Sequence, residues 1–339
     1  MARPTLKNVA ERAGVSVATV SYVLNGKKKY ISEETKERIY KAVEELDYIP
    51  DMNARGLAAR DTKLIGVVIP QTEPGSELMF HNPFYGEILS SIEYQARLNG
   101  YQLIISGMDV DANYMRLAKE RNLDGIIAIG MYPDELYEQF KKIDIPVVLV
   151  DSYCKDKFFH NIRIDDTMGS YEATKHVIGC GHRKIAFLSG MLKENGVMKK
   201  RFLGYKKALE EAGIAFCEEY IYEGEVDYKS GEELARLIAE KQQGITAVIA
   251  AADIQAIGAI KGFYEAGINV PEDMSVMGFD NLEMSQFIIP GLTTVGQNIA
   301  LKGERAVELL VENMDNPDME KQEEILPVMV VERGSIKQI

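Results

Sequence analysis

The sequence predicts an α/β chain: a small all-α head at the N-terminus, then a larger body of two doubly wound parallel sheets. Three observations carry this. Two short capped helical segments share residues 5–26, a third helical segment ends before Pro50, and from Leu64 onward short apolar runs alternate with helical stretches. At 339 residues the chain exceeds one typical domain, and 46% hydrophobic residues suffice for a sizeable core.

Thr5 is placed to cap a first helix, with Leu6, Val9, Ala10 and Ala13 on one apolar face. Gly14 supplies a tight turn, and Ser16 caps a second helix from Val17 to about Leu24 that Asn25-Gly26 ends. Val20, Val23 and Leu24 point back to the first helix, leaving positions 17, 18, 21 and 22 outward. This is a helix-turn-helix, and the same pattern also suits an ordinary helical hairpin. A helix presented this way enters a major groove with its first turn against base edges and its capped end against a phosphate. Lys27-Lys28-Lys29-Tyr30 forms a cationic loop beside it, suited to gripping phosphates. Ser32 with Glu33 and Glu34 starts a third helix, whose Ile39, Val43 and Leu46 close the core of the head.

Residues 51–63 read as a linker; the stretch Asn53 to Arg60, with Gly56 inside it, is too short to be a stable helix alone. Beyond it, Leu64–Ile69, Gln102–Ile105, Gly125–Ile129 and Val147–Val150 read as buried parallel strands, separated by helices near 85–98, 113–121 and 134–142. A second series follows in Lys184–Leu188, Ala247–Ala250 and Met274–Gly278, with helices near 167–179, 198–212, 229–240 and 253–266.

The formal net charge of −13 is unevenly distributed. Residues 1–63 hold 12 Lys and Arg against 9 Asp and Glu, a head of +3, and the remaining 27 basic and 43 acidic residues give −16. An acidic body limits non-specific attraction to nucleic acid and leaves it to the head. Cys154, Cys180 and Cys217 are widely spaced and odd in number, which argues against a disulfide framework and for a reducing cytoplasm. No apolar run approaches membrane-spanning length, and the start reads as a capped helix, not a signal peptide. Enzyme chemistry finds no P-loop and no dinucleotide fingerprint after the Leu64 strand. Cys180 and His182 alone make no metal site, and the four histidines assemble no triad, so neither metal nor cofactor is expected.

The wording of the head adds to this. Lys7-Asn8-Val9-Ala10, Ala13-Gly14-Val15-Ser16, Ala18-Thr19-Val20-Ser21, Val23-Leu24-Asn25-Gly26 and Ala54-Arg55-Gly56-Leu57 closely resemble the lactose-repressor family of bacterial transcription regulators. In the body, Asn82-Pro83-Phe84-Tyr85, Gly181-His182-Arg183-Lys184-Ile185, Arg201-Phe202-Leu203-Gly204-Tyr205, Gly278-Phe279-Asp280-Asn281 and Leu292-Thr293-Thr294-Val295 extend the resemblance over essentially the whole chain. It implies a helix-turn-helix head (1–50), a hinge (51–63) and a two-lobed type I periplasmic-binding-protein-like body (64–339). The chain would cross between lobes near 163, 291 and 322, giving an N-lobe of about 64–162 and 292–322 and a C-lobe of about 163–291 and 323–339.

The implied DNA contacts are Thr5, Ser16, Val17, Ala18, Thr19, Ser21, Tyr22, Asn25, Lys28, Tyr30, Asn53, Arg55 and Leu57. Val17, Ala18 and Tyr22 occupy base-reading positions, and Leu57 matches a leucine that a DNA-ordered hinge pushes into the minor groove. The position of Tyr22 is usually arginine; a tyrosine offers one hydroxyl bond or a ring contact instead of a fork onto guanine, so the operator should differ there. The implied effector contacts, at strand ends facing the inter-lobe cleft, are Phe84, Tyr85, Arg201, Asp253, Asp280 and Gln297. Asp253 has lost the asparagine that usually precedes it, since Ala252 stands there, and also reads as an N-terminal helix charge. Val226 stands where many sugar-responsive members carry an aromatic ring, Trp is absent, and Tyr228 or Tyr132 would have to substitute. Residues 71–81 form a longer loop than usual, a flap over the cleft or a surface excursion.

The expectation is thus a cytoplasmic homodimeric regulator, with repression the expected sign. It would bind a palindromic operator in double-stranded DNA under control of a small molecule, a sugar or related metabolite, with no membrane involvement. A purine or nucleoside acting as corepressor is the alternative ligand. A small-molecule-binding protein whose head serves another purpose is the competing class, and a sugar-processing enzyme stands third. The chain ends at Gly334–Ile339 with no heptad tail to join dimers into a tetramer.

Overall fold

The computed structural model describes residues 4–24, 31–48, 62–71, 79–109, 118, 120–130, 135–154 and 157–339. The chain divides into two compact units, residues 1–62 and 63–339.

Among its described residues the first unit holds three helices, α1 (Leu6–Ala13), α2 (Val17–Leu24) and α3 (Glu33–Glu45). Thr5 and Asn8 form a reciprocal capping box on α1, and Gly14, at φ 64°, accommodates the left-handed turn that ends it. Ser16 Oγ accepts from the Thr19 N–H at 3.1 Å and Ser32 Oγ from the Thr35 N–H at 3.4 Å, so α2 and α3 are capped as well. Val9, Ala10, Ala13, Val20, Val23, Ile39 and Ala42 form the core, with Leu6, Leu24, Val43 and Leu46 packed around it.

Among its described residues the second unit contains two parallel sheets. The first runs in the order β11-β5-β4-β3-β1-β2, with β1 Leu64–Gln71, β2 Gln102–Asp109, β3 Gly125–Ile129, β4 Val147–Val150, β5 His160–Ile164 and β11 Glu323–Leu326. The second runs β7-β6-β8-β9, with β6 Ile185–Ser189, β7 Ile221–Glu223, β8 Ala247–Ala250 and β9 Ser275–Met277. A separate two-stranded sheet pairs β10 (Thr294–Gly296) antiparallel with β12 (Met329–Val331). Helices whose bounds lie within the described residues are α4 (Pro83–Leu98), α5 (Glu135–Phe140), α6 (Asp166–Gly179), α7 (Val197–Glu211), α8 (Tyr228–Lys241), α9 (Asp253–Glu265) and α10 (Ile299–Asp315).

Strands β3, β4, β6, β8 and β9 are buried at every residue, as strands covered on both faces must be. The largest apolar cluster spans both sheets, from Ile65, Ile129 and Val150 to Ile185, Phe187 and Phe279.

The first crossing falls where expected, and the last one differs. Strand β5 continues the first sheet to Ile164, and Glu323–Leu326 pairs in parallel with it, Glu324 opposite Ile162. The last crossing therefore follows Leu326, and residues 323–326 belong to the first sheet, not the second. Their sequence hid this because β11 is an edge strand whose Glu323 and Ile325 face water.

Candidate functional site

In the head, capping of α2 by Ser16 leaves the first turn outward. Val17 is 43% exposed and Ala18 is exposed, Thr19 Oγ1 lies 2.8 Å from Ser16 Oγ, and Ser21 and Tyr22 are half-buried on the same helix. Thr5 is exposed at the start of α1, its hydroxyl 2.7 Å from Asn8 Oδ1. An exposed first turn on a short helix braced by two others is the geometry that reads base edges. Asn25, Lys28, Tyr30, Asn53, Arg55 and Leu57 lie outside the described residues, as do Tyr132 and most of the 71–81 loop.

In the body, the carboxyl ends of the strands converge on a buried polar chain. Arg201, on α7, donates through Nε to Asp166 Oδ1 at 2.8 Å and through Nη1 to the Ala251 carbonyl at 2.5 Å, with Asp280 Oδ1 at 3.4 Å. Its guanidinium lies 3.7 Å from the centroid of the Phe279 ring. Tyr153 donates to the second oxygen of Asp166 at 2.6 Å. On the first-sheet side, Lys302 of α10 donates to both oxygens of Asp151, at 2.7 and 2.8 Å. Gln297 joins the halves: its amide donates to Asp280 and accepts from Lys302. Phe84 lies against this end, its ring centroid 5.8 Å from Lys302 Nζ, and Tyr85 meets Phe84 edge-on at 5.5 Å.

Burial sets the electrostatics. Desolvation pushes the Asp280 carboxyl up to about 7 against the pull of Arg201. It also raises Asp151, opposed by Lys302. For Arg201, burial acts to lower the value, but the charges of Asp166 and Asp280 raise it overall, keeping the guanidinium charged. Glu87 of α4 is raised by burial and by the nearby charges of Glu283 and Asp253. Backbone strain gathers here too: Asp151, Asp280, Asn281 and Asn298 all have left-handed φ, 51°, 132°, 59° and 47°.

Of the residues expected at the cleft, Arg201, Asp280, Gln297 and Phe84 come together, and Tyr85 flanks them. Asp253 does not join. Its oxygens accept from the Leu282 N–H at 2.9 Å, Ser285 Oγ at 2.6 Å and Thr294 Oγ1 at 2.5 Å. Fully buried at the first position of α9, it pins the loop after β9 to the start of that helix. His182 is likewise engaged inside the fold, by Thr246 Oγ1 at 2.9 Å and the Lys337 carbonyl at 3.0 Å. Among the described residues no cluster of metal-ligating side chains occurs.

Sequence reasoning missed Asp151, Tyr153, Asp166, Phe279 and Lys302 as members of this chain. The signal for Lys302 was present: it shares the buried face of α10 with Ile299, Ala306 and Leu310, where a lysine demands a partner. Asp151 directly follows a strand end, where buried ligand-facing groups concentrate.

The description "Bacterial regulatory proteins, lacI family" matches residues 5–51, and "Periplasmic binding protein-like domain" matches residues 174–336. The chain is 36% identical over 339 residues to the HTH-type transcriptional repressor PurR of Vibrio atlanticus, covering 98% of each chain. It is 33% identical over 338 residues to the ribose operon repressor of Haemophilus influenzae, again covering 98% of each. A crystal structure of the lac repressor dimer bound to operator and the anti-inducer ONPF matches with a TM-score of 0.86 at 26% identity, covering 99% of this chain and 100% of that one. The similarity to PurR runs through both the helix-turn-helix head and the two-sheet body, so the chain belongs to the lacI family of bacterial regulatory proteins and is a DNA-binding transcription regulator.

Proposed function

We propose that the protein is a cytoplasmic repressor, binding a palindromic operator as a homodimer under the control of a small molecule, a sugar or related metabolite, held between the two sheets of the body. The observation that carries the effector half is the buried chain of Arg201, Asp280, Gln297, Lys302 and Asp151. It places charged donors and acceptors at converging strand ends, at a large desolvation penalty that a well-packed apolar core would avoid. The operator half is supported by the exposed first turn of α2 and by the +3 charge of residues 1–63 against −16 elsewhere. Repression by occupancy requires no turnover, and the reading assigns no catalytic residue.

A purine or nucleoside corepressor is the second reading. Val226 and the absence of tryptophan weaken ring stacking on a sugar, and PurR is among the relatives.

A thermal-shift screen of the full chain against sugars, nucleosides and purines tests the effector site, because a ligand of the folded state raises its stability. The expected result is a rise in Tm with one class, lost in Arg201→Ala. A ligand that stabilises both proteins equally binds elsewhere. For DNA, a gel shift on a palindromic site should weaken by orders of magnitude between about 50 and 200 mM salt as phosphate contacts are screened. Tyr22→Arg should move base preference at one position per half-site by about 1–3 kcal/mol; an unchanged preference would place Tyr22 off the bases.

A further inference from the structure

Gln297 sits where two ion pairs meet, fully buried. Its Oε1 accepts from Lys302, whose other hydrogen bonds go to the two oxygens of Asp151 at 2.7 and 2.8 Å. Its Nε2 donates to Asp280 Oδ1, which also lies 3.4 Å from Arg201 Nη1. An ammonium has three donors, and all three of Lys302's are taken by the chain itself. A ligand reaches Lys302 only when one internal partner leaves. Asp151 is a bidentate, buried counter-ion, and parting it from Lys302 strands two charges. Gln297 is neutral, and its departure strands neither.

We propose that the Gln297 amide is an internal stand-in for the effector, and that Lys302 is a specificity-determining residue which the effector engages when it displaces that amide. This rests on the cleft reading above and adds to it the residue and the chemical group. Whatever replaces the amide must accept from an ammonium and donate to a carboxylate, through one atom or through two that lie side by side. A sugar hydroxyl does so, and so does the lactam edge of a base, where C=O and N–H lie side by side. A carboxylate does not fit this point: it offers acceptors but no donor, and it meets the charges of Asp151 and Asp166.

The test compares full-length wild type with Gln297→Ala, which opens the slot and leaves both partners in place. The probes are acetamide, D-ribose and hypoxanthine. Acetamide should raise the Tm of Gln297→Ala more than that of wild type. Either D-ribose or hypoxanthine should bind the variant about tenfold or more tightly than wild type, which distinguishes the hydroxyl from the lactam. Adding Lys302→Met should weaken that binding by about ten- to a hundredfold, as loss of a charge-assisted hydrogen bond requires. Should Gln297→Ala fail to fold, Gln297→Ser replaces it with the same expectations. If all three probes act alike on wild type and variant, the amide holds no ligand's place and the proposal fails. A probe lost in Asp280→Asn but indifferent to Lys302→Met removes Lys302 from recognition while the cleft reading stands. One indifferent to Asp280→Asn, Lys302→Met and Arg201→Lys overturns the cleft reading itself.

Discussion

Asp280 shows what a single buried carboxyl does to the pH dependence of the whole fold. Its folded value of about 7 lies above the ordinary 3.8. Between those values the folded chain holds a proton that the unfolded chain has released, so rising pH disfavours folding across that window and the penalty is constant above it. Asp280→Asn should therefore gain on wild type between about pH 4 and 7, on the order of a few kcal/mol, and then level off. Urea midpoints across that range measure it, and a pH-independent difference would mean the aspartate is ionised throughout. His160 works the other way. Burial, with help from Lys321, lowers it from 6.5 to about 4, while its Nδ1 accepts the Gln322 N–H at 3.2 Å. Its stability contribution is lost as pH falls from 6.5 toward 4, because there the unfolded chain binds the extra proton. The two slopes oppose each other in the shared range, and each single variant should unmask the other.

At the scale of elements, glycines decide how closely helices pack. A Cβ on Gly231 of α8 would lie 2.1 Å from the Gln255 carbonyl of α9, and one on Gly258 of α9 would lie 2.0 Å from the Tyr228 carbonyl of α8. The two contacts are reciprocal, so the helices touch backbone to backbone at both points. Gly231→Ala and Gly258→Ala should each destabilise by about 1–3 kcal/mol by overpacking. The double variant should cost less than the sum, because one separation of the helices relieves both clashes. Strict additivity in denaturant unfolding would show that each clash is absorbed locally. Elements also mark where sequence patterns were legible. The uniformly apolar β3, β4 and β8 were plain from their runs of Val, Ile, Leu and Ala, because a strand buried on both faces has no polar alternation to confuse with anything else. Strand β5, reading His-Asn-Ile-Arg-Ile, and the glutamate-led β11 were not, since their polar side chains are satisfied by partners distant in sequence: Arg163 pairs with Glu323 at 2.8 Å, 160 residues on.

For the whole molecule, the division into residues 1–62 and 63–339 predicts separable behaviour. Calorimetry of the full chain should show two transitions, with an effector raising only the larger one, because ligand binding stabilises the unit that contains the site. A single transition shifted as a unit would indicate that head and body unfold together.

The sequence by itself determined the alternation of buried apolar strands with helices, the helix-turn-helix and its exposed first turn, and the family, since capping residues, apolar periodicity and contiguous motifs are local information. The resemblance also pointed to Arg201, Asp280, Gln297 and Phe84, which meet at one buried polar chain. Tertiary structure alone decided which partners those residues take. It withdrew Asp253 into the fold by supplying three internal donors, and it joined Asp151 to Lys302 across 151 positions of chain. A charge buried by folding takes its role from whichever partner the fold brings within hydrogen-bond reach, and no spacing along the chain records that partner.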